Sequence, residues 1–421
     1  MLPRLFRLRQ TFDGPTVTDV TGEVERELSA LRLDEAIRPG ETVAITAGSR
    51  GVANIVAILR TTVEHLQRLG AVPFLVPAMG SHGGATADGQ LAVLARYGIT
   101  PSSIGCEIRS SMETVILGTT PFGFPVHFDK HAHSADHVLV VNRVKPHTRF
   151  AGDIESGLHK MLLIGLGKHA GAQLYHRAIV DHDFDSILRA VTGHVLETCH
   201  VVGGLAIVEN ARDETALVAG VRPEEFRIRE VELLTQARAW LPRLPFRECD
   251  LLIIDEIGKD VSGAGMDTNV VGRKFDDKQA TDRDETNCKR IFVRGLTPAT
   301  GGNATGIGIA EFTNDRTVAA IDRRATAVNC ITGNHPTAAA IPIAFPTDRE
   351  CVEAALLTLG LIDPPDAKVL HIRNTLRLGE VWASEAYFDE ARRLPQVEML
   401  SEPEPMRFDA AGNLLPANSD G

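Results

Sequence analysis

Twelve of the chain's 15 histidines fall between His82 and His200, where an even spread would place about four. Near neutral pH, histidine serves as general acid or base, metal ligand or structural donor. Two of them stand in loops of small residues, Met79-Gly-Ser-His82-Gly-Gly-Ala-Thr86 and Val144-Lys-Pro-His147-Thr-Arg-Phe-Ala-Gly152. Each loop leaves the carboxyl end of a predicted strand, the edge at which open parallel sheets bind ligands. Gly80, Gly83 and Gly84 allow close approach of backbone to a ligand. Thr86 is placed to cap the following helix. The plainer reading of His82 is a turn donor. A third segment, Glu155-Ser-Gly-Leu-His159-Lys160-Met-Leu-Leu-Ile-Gly-Leu-Gly167, sets a lysine among Gly, Leu and Met. An ammonium partly stripped of water there loses its proton more easily and favours covalent chemistry. The alternative is a lysine that snorkels at a helix end. His176 follows in Gln173-Leu-Tyr-His-Arg177.

Other patterns imitate sites without meeting their requirements. Gly165-Leu-Gly-Lys168-His169 lacks the GxxxxGK spacing of a phosphate loop and the Ser/Thr that would hold magnesium. His131 and His133, with His127 and His137, would share a face on a strand, but no acidic or cysteine ligand stands at close spacing. The six cysteines, at 106, 199, 249, 288, 330 and 351, form no CxxC pair. That excludes a zinc knuckle and a thiol redox pair, and makes the cytoplasm the expected compartment. The 44 basic and 55 acidic residues leave a formal charge of −11 with no block of like sign. Nucleic acid and anionic membrane surfaces are thus excluded as main partners, though not a small anion met by a few local Arg or Lys. No run approaches 18 apolar residues, so no membrane span is expected. The first ten residues read as an alternating strand rather than a secretory signal.

The elements that must position these residues alternate. Strands are predicted over 41–47, 72–77, 137–141 and 201–208, and helices over 52–69, from 86 through 97, over 158–166 and over 224–240. Strand, loop and helix repeated in this way mean βαβ units and a largely parallel sheet. A Pro-rich stretch, Leu241-Pro-Arg-Leu-Pro-Phe246, reads as a hinge. A fresh strand at 250–255 then opens a second α/β unit, with a late strand at 369–372 and a helix over 380–393. At 421 residues with 43% hydrophobic content, two cores are expected. We expect two α/β domains with largely parallel sheets and an active-site cleft between them: residues 1–245 for catalysis and cofactor binding, 246–400 closing over the substrate, and a loose tail over 401–421.

Gly80-Ser-His82-Gly-Gly-Ala-Thr86, then His147…Ala151-Gly152…Ser156-Gly157-x-x-Lys160, then His176 resemble the lactate racemase family that depends on a nickel-pincer nucleotide. The resemblance spans roughly residues 41 to 177. It implies that His82 and His147 are the paired acid/base residues on opposite faces of the substrate. It further implies that Lys160 anchors the cofactor covalently through a thioamide and that His176 is the protein's ligand to nickel. The cofactor would be the nickel complex of pyridinium-3,5-bisthiocarboxylic acid mononucleotide. Ser156, Gly157, Gly80 and Thr86 fall in the motifs expected to bind it. Arg50, in Ala47-Gly-Ser-Arg50-Gly, matches an arginine near the substrate carboxylate. Enzymes that assemble the cofactor are implied as partners. The chain departs from the family at Ala47, where an acidic residue is usual, and at Gly83, where arginine often follows the first histidine. The stretch between His147 and Lys160 is a few residues longer.

The chemistry accounts for these residue types. Removing a proton from the carbinol carbon of a 2-hydroxy acid would build a carbanion beside a carboxylate. Removing hydride gives a neutral ketone but needs an acceptor that no side chain supplies. The hydroxyl proton must meanwhile reach a base within hydrogen-bond distance, and an unperturbed imidazole pKa near 6.5 suits both directions. An arginine fork would hold the carboxylate. In the second domain Lys259, Asp267, Asn269 and Arg273 crowd one polar loop and are the expected substrate readers. Asn303 and Thr305 are weaker candidates. A cofactor-free or metal-assisted isomerase or hydrolase using the same histidines, and a non-catalytic carrier of the nickel nucleotide, are the alternatives.

Overall fold

The computed structural model describes residues 1–417, which divide into two compact units: Asp13–Leu241, and Met1–Phe12 together with the chain from Pro242 onward. The first unit is built on a six-stranded sheet in the order Glu107–Ile108, Val72–Pro77, Thr42–Ala47, His137–Arg143, Val201–Glu209, Thr215–Val221. All neighbours are parallel except the last pair, an antiparallel hairpin. Strands such as Thr42–Ala47 are buried almost throughout because both sheet faces are covered. Ala44, Phe74, Val76, Val138 and Val140 point into one core. Their chain neighbours Val43, Ile45, Leu75, Leu139 and Val141 point into the other. Helix Phe184–Thr198 fills the first core with Ile187, Leu188, Val191 and Val195. Helix Ile55–Arg68 fills the second with Ile58, Leu59, Val63 and Leu66.

The second unit has a parallel run, in the order Ile343–Phe345, Phe312–Asn314, Asn287–Val293, Glu248–Ile254, Val369–Ile372. The sheet then turns antiparallel through Glu380–Ser384, Arg4–Gln10 and Val397–Met399. Both units are therefore α/β; the first sheet is largely parallel, and the second is mixed, with four parallel and four antiparallel pairings. The N-terminal strand, expected to open the first domain, belongs instead to this second sheet, where Leu5–Arg9 pair with Glu380–Ser384.

Three expectations are corrected here. Residues 380–393 are not one helix: Glu380–Ser384 is a strand whose Val381 and Ala383 face the core, and only short helical turns follow, at Glu385–Tyr387 and Phe388–Ala391. His131 and His133 do not share a strand face, because Asp129 accepts the His131 and Ala132 N–H groups and starts a helical turn, Lys130–Ser134. The segment from 401 is not loose as far as Ala417, and residues 418–421 of it lie outside the described residues. Glu404–Pro405 pair with the N-terminal strand. Leu414 N–H donates to Asp348 Oδ2 at 3.0 Å, and Arg294 donates to the Leu414 carbonyl. Ala417 N–H donates to Asp255 Oδ2 at 2.8 Å. These partners form one buried charge network, in which Asp255 also takes His371 Nε2 at 2.6 Å and Arg294 Nε meets Asp348 at 2.9 Å. Burial alone would raise the Asp255 carboxyl, but His371, Arg294 and the Ala417 N–H hold it below its ordinary value.

A chain ended at Ser401 leaves Arg294, Asp255 and Asp348 short of these backbone partners. Each buried polar group left unsatisfied costs roughly 1–3 kcal/mol. We expect the second unit to lose at least about 3 kcal/mol in urea unfolding. An unchanged midpoint would refute the structural role of the segment.

Candidate active site

Three neighbouring parallel strands of the first unit deliver the candidate residues to one sheet edge. Thr42–Ala47 leads into Ser49 and Arg50, Val72–Pro77 into Gly80 and His82, and His137–Arg143 into the long segment that carries Lys145, His147, Glu155 and Lys160. Because the strands run the same way, their carboxyl ends share an edge.

The His82 loop is fixed from beneath by a buried network. Lys168 Nζ donates to the Pro77 carbonyl and to Gln90 Oε1, both at 2.8 Å, and lies 3.3 Å from Asp129 Oδ2. Gln90 Nε2 in turn donates to the carbonyls of Gly80 at 3.0 Å and His82 at 3.4 Å. Lys168, Gln90 and Asp129 are each 0% exposed. Gly80 has φ +58°, and a side chain there would press on Ile164, so glycine is required where the loop meets the following segment. Thr86 accepts the Gly89 N–H at 3.1 Å, the helix-capping role read for it. His82 itself is exposed, with Nδ1 2.5 Å from Ser49 Oγ.

The segment after Arg143 is stapled at both ends. Ser156 Oγ accepts the Lys145 N–H at 2.8 Å and donates to the Lys145 carbonyl at 2.6 Å. Ser156 therefore shapes the loop's own backbone. Glu155, 1% exposed, accepts the His147 N–H at 2.8 Å and pairs with Arg238 at 2.8 Å. His147 Nδ1 accepts the backbone N–H groups of Arg149 and Phe150, each at 3.1 Å. Its ring stacks on Phe150 at 4.2 Å and 7°. Phe150 also stacks on Phe184 at 4.2 Å, lies 6.0 Å from His176 and has Lys160 Nζ 5.4 Å from its centroid. One aromatic ring thus gathers His147, Lys160 and His176.

Lys160 rides on a helical start that Glu230 holds. This buried carboxylate accepts the N–H groups of Leu158 and, at 3.1 Å, His159, and bonds the His159 ring. Gly157, at φ +95°, leaves the space that Glu230 uses: a Cβ there would stand 1.9 Å from its Oε1. After Lys160 the helix widens by one residue, with the Leu166 N–H donating to the Met161 carbonyl at 2.9 Å. Such widened turns gather at functional sites.

The electrostatics follow from this enclosure. The Lys160 side chain is half-buried as a whole, yet its amine is enclosed. Burial first, then the charges of Arg50 and Lys145, bring it down to about 7 against the opposing pull of Glu155. Burial, then Lys160 and Arg149, lower His176 to about 4. At neutral pH the pair therefore offers an amine substantially free to react and an imidazole with a lone pair. Among the described residues no group of three or more His, Cys, Asp or Glu could hold a metal ion.

The second-unit candidates mostly serve their own fold. Arg273 is 1% exposed and donates to the carbonyls of Cys288 and Ile309 and to the Glu311 carboxylate, so a structural role accounts for it in place of the expected substrate contact. Asp267 caps the turn Thr268–Val271 and also accepts from the Asn269 side chain at 2.8 Å. Lys259 Nζ donates to the Gly263 carbonyl at 2.7 Å and to Asn329 Oδ1 at 2.8 Å. Sequence reading missed Ser49, Phe150, Glu155, Glu230 and the Lys168–Gln90 link. A carboxylate's burial depends on chain far from it, as Glu230 shows, and only the unexplained Gly-Lys of Gly167-Lys168 gave a local signal.

Comparison with known proteins places this architecture. Residues 14–186 match the lactate racemase N-terminal domain family. Among solved structures the chain is similar to the lactate racemase apoprotein from Thermoanaerobacterium thermosaccharolyticum, at 14% identity and TM-score 0.55, over 88% of this chain and 94% of that one. It is also similar to a Thermotoga maritima protein, at 12% identity and TM-score 0.50, over 78% and 83% of the two chains. At these identities the structural likeness is one of fold. No curated protein sequence matches. Residues 14–186, within the first unit, are thus similar to the lactate racemase N-terminal domain, and the chain shares an α/β fold with the lactate racemase apoprotein.

Two outcomes are expected. Lys168→Met, which strands Asp129 in the core, should cost about 3–5 kcal/mol and speed amide exchange in residues 78–86. Unchanged exchange there would detach the network from the His82 loop. Labelling by an acylating reagent, mapped by digestion between pH 5 and 10, should show Lys160 reactivity rising through pH 7 as its proton leaves. A rise only above pH 9 would contradict the desolvated amine.

Proposed function

We propose that this chain is a racemase or epimerase of a 2-hydroxy acid that works with a lysine-anchored nickel-pincer nucleotide. The observation that carries the reading is the cluster about Phe150: in a unit similar to the lactate racemase N-terminal domain, His147, Lys160 and His176 meet one ring, with the pKa of both Lys160 and His176 lowered by burial.

The residues fit the group. An amine brought down to about 7 can form a covalent link where an ordinary lysine stays protonated. A neutral imidazole is what a nickel ion takes as ligand, and burial keeps His176 neutral. A pincer that brings its own donors would need only one protein ligand, which His176 could supply. Arg50, Lys145 and Arg149, whose charges are felt at Lys160 and His176, suit a ligand with phosphate and carboxylate groups. When bound, the nucleotide would supply the hydride acceptor that side chains lack.

The protein's own part is to bind, orient and manage protons. Arg50 holds the substrate carboxylate, and His82 and His147, on separate loops, meet the hydroxyl oxygen and handle its proton. Lys259, Asp267 and Asn269 belong to the loop we assign to substrate recognition in the second unit. Enzymes that assemble the nucleotide are the partners this reading requires. No helix among the described residues is long and apolar enough to cross a membrane.

The test is the intact mass of the chain co-produced with nickel and cofactor-assembling enzymes, followed by digestion and a panel of chiral 2-hydroxy acids. We expect a nickel-bearing adduct on Lys160 that Lys160→Ala abolishes. His82→Ala should keep the adduct but lose about 10²–10⁴-fold in turnover. An unmodified mass under conditions that load a known racemase would overturn the proposal.

A further inference from the structure

Among the described residues the Lys160 amine has no hydrogen-bond or ion-pair partner, and its neighbour is the Phe150 ring, whose centroid lies 5.4 Å from Nζ. Two of the three charges felt there, those of Arg50 and Lys145, share the sign of an ammonium. The third, Glu155, is already engaged by the His147 N–H and by Arg238, each at 2.8 Å. Lys168 is the contrast in the same segment. Its Nζ donates to the Pro77 carbonyl and Gln90 Oε1 at 2.8 Å and has Asp129 Oδ2 at 3.3 Å. Nothing comparable supports a positive charge on Lys160, whereas a negative group carried by the same nitrogen would meet cations. Carbon dioxide makes that exchange, because it turns a neutral amine into an anionic carbamate.

We propose that Lys160, in the chain that carries no nucleotide, is a carbamylation site for carbon dioxide, with the Arg50 guanidinium as the counter-ion of the carbamate. The nitrogen lone pair forms the N–C bond, one C=O pair moves onto oxygen, and one proton leaves nitrogen for water. Amine and carbon dioxide become carbamate and a proton, with no oxidant or reductant needed. Burial first, then Arg50, bring the amine down to about 7, so the lone pair is present at neutral pH. The planar fork of an arginine suits a carboxylate-shaped anion. On Lys168 the same reaction would set a second anion beside Asp129 and break three contacts, so it is disfavoured there. One consequence rests on the nickel-nucleotide reading above. An amine that carries a carboxylate cannot at the same time form the thioamide link, so carbon dioxide holds the empty site closed to the nucleotide and leaves before loading.

Carbon-13 NMR of the unloaded full-length chain, equilibrated at neutral pH with labelled bicarbonate, reads the carbamate directly. Ethylation with a trialkyloxonium salt then fixes it for digestion and mapping. The expected result is a carbamate on Lys160 and on no other lysine side chain, with its resonance lost in Lys160→Arg. Arg50→Gln, a loop substitution, should need about tenfold more carbon dioxide for the same occupancy. No carbamate on Lys160, or carbamate spread over other lysines, overturns the proposal, and unchanged occupancy in Arg50→Gln overturns the role of Arg50. During loading, carbon dioxide should slow the appearance of the nickel-bearing adduct in step with carbamate occupancy, and equal rates with and without it would overturn the competition. A carbamate on Lys160 in a chain that never takes the nucleotide has a different meaning: the nickel-nucleotide reading fails and the modification stands.

Discussion

Lys168 buries its ammonium between the Pro77 carbonyl, the Gln90 amide oxygen and the Asp129 carboxylate, and this contact governs where the loop of His82 lies against the helix of His176. An unpaired charge at such depth would cost several kcal/mol, so the ammonium stays only where its acceptors stay. Through Gln90 the same cation fixes the carbonyls of Gly80 and His82. As the first residue of Lys168–Ala178, it also begins the helix on which His176 stands two turns later. The loop and the helix come from distant parts of the chain. They meet because one desolvated cation needs both.

Eight residues earlier, Lys160 shows the opposite outcome of the same desolvation. Burial lowers both lysines. Lys168 has Asp129 beside it, and that carboxylate supports the charge. Lys160 has Arg50 and Lys145 nearby, and the one opposing carboxylate, Glu155, is already engaged by Arg238 and the His147 backbone. Structural and reactive lysines are separated here by the sign of their neighbours, not by depth.

The difference marks what a sequence can show. The alternation of strands and helices was legible because sheet faces impose a period of two and helix faces one of 3.6. The strand-end loops of His82 and His147 were legible because glycine-rich punctuation follows apolar runs. Partners were not. Lys168 reads locally as a failed phosphate loop, and its meaning comes from Asp129, 39 positions earlier. Glu230 lies 70 positions from the lysine whose helix it starts. The helix expected at 380–393 misled for a related reason: Glu-Val-Trp-Ala-Ser alternates over too few residues to outweigh the helix-favouring run after it, until the N-terminal strand pairs with it. Arg273 looked like a substrate reader because a polar loop surrounds it in sequence, yet its acceptors at Cys288 and Glu311 take it into the interior.

The site is thus made of groups that can change protonation, set within groups that cannot. Lys160 and His176 are poised by enclosure. Around them the fixed parts are backbone N–H groups and carboxylates already bound to N–H groups: Arg149 and Phe150 on His147, Glu155 on the His147 backbone, Glu230 on Leu158 and His159. A fixed donor cannot follow a proton, so each such contact restricts protonation changes to the few groups left adaptable. In the hydroxy-acid reading proposed above, that restriction would limit which base can take the hydroxyl proton.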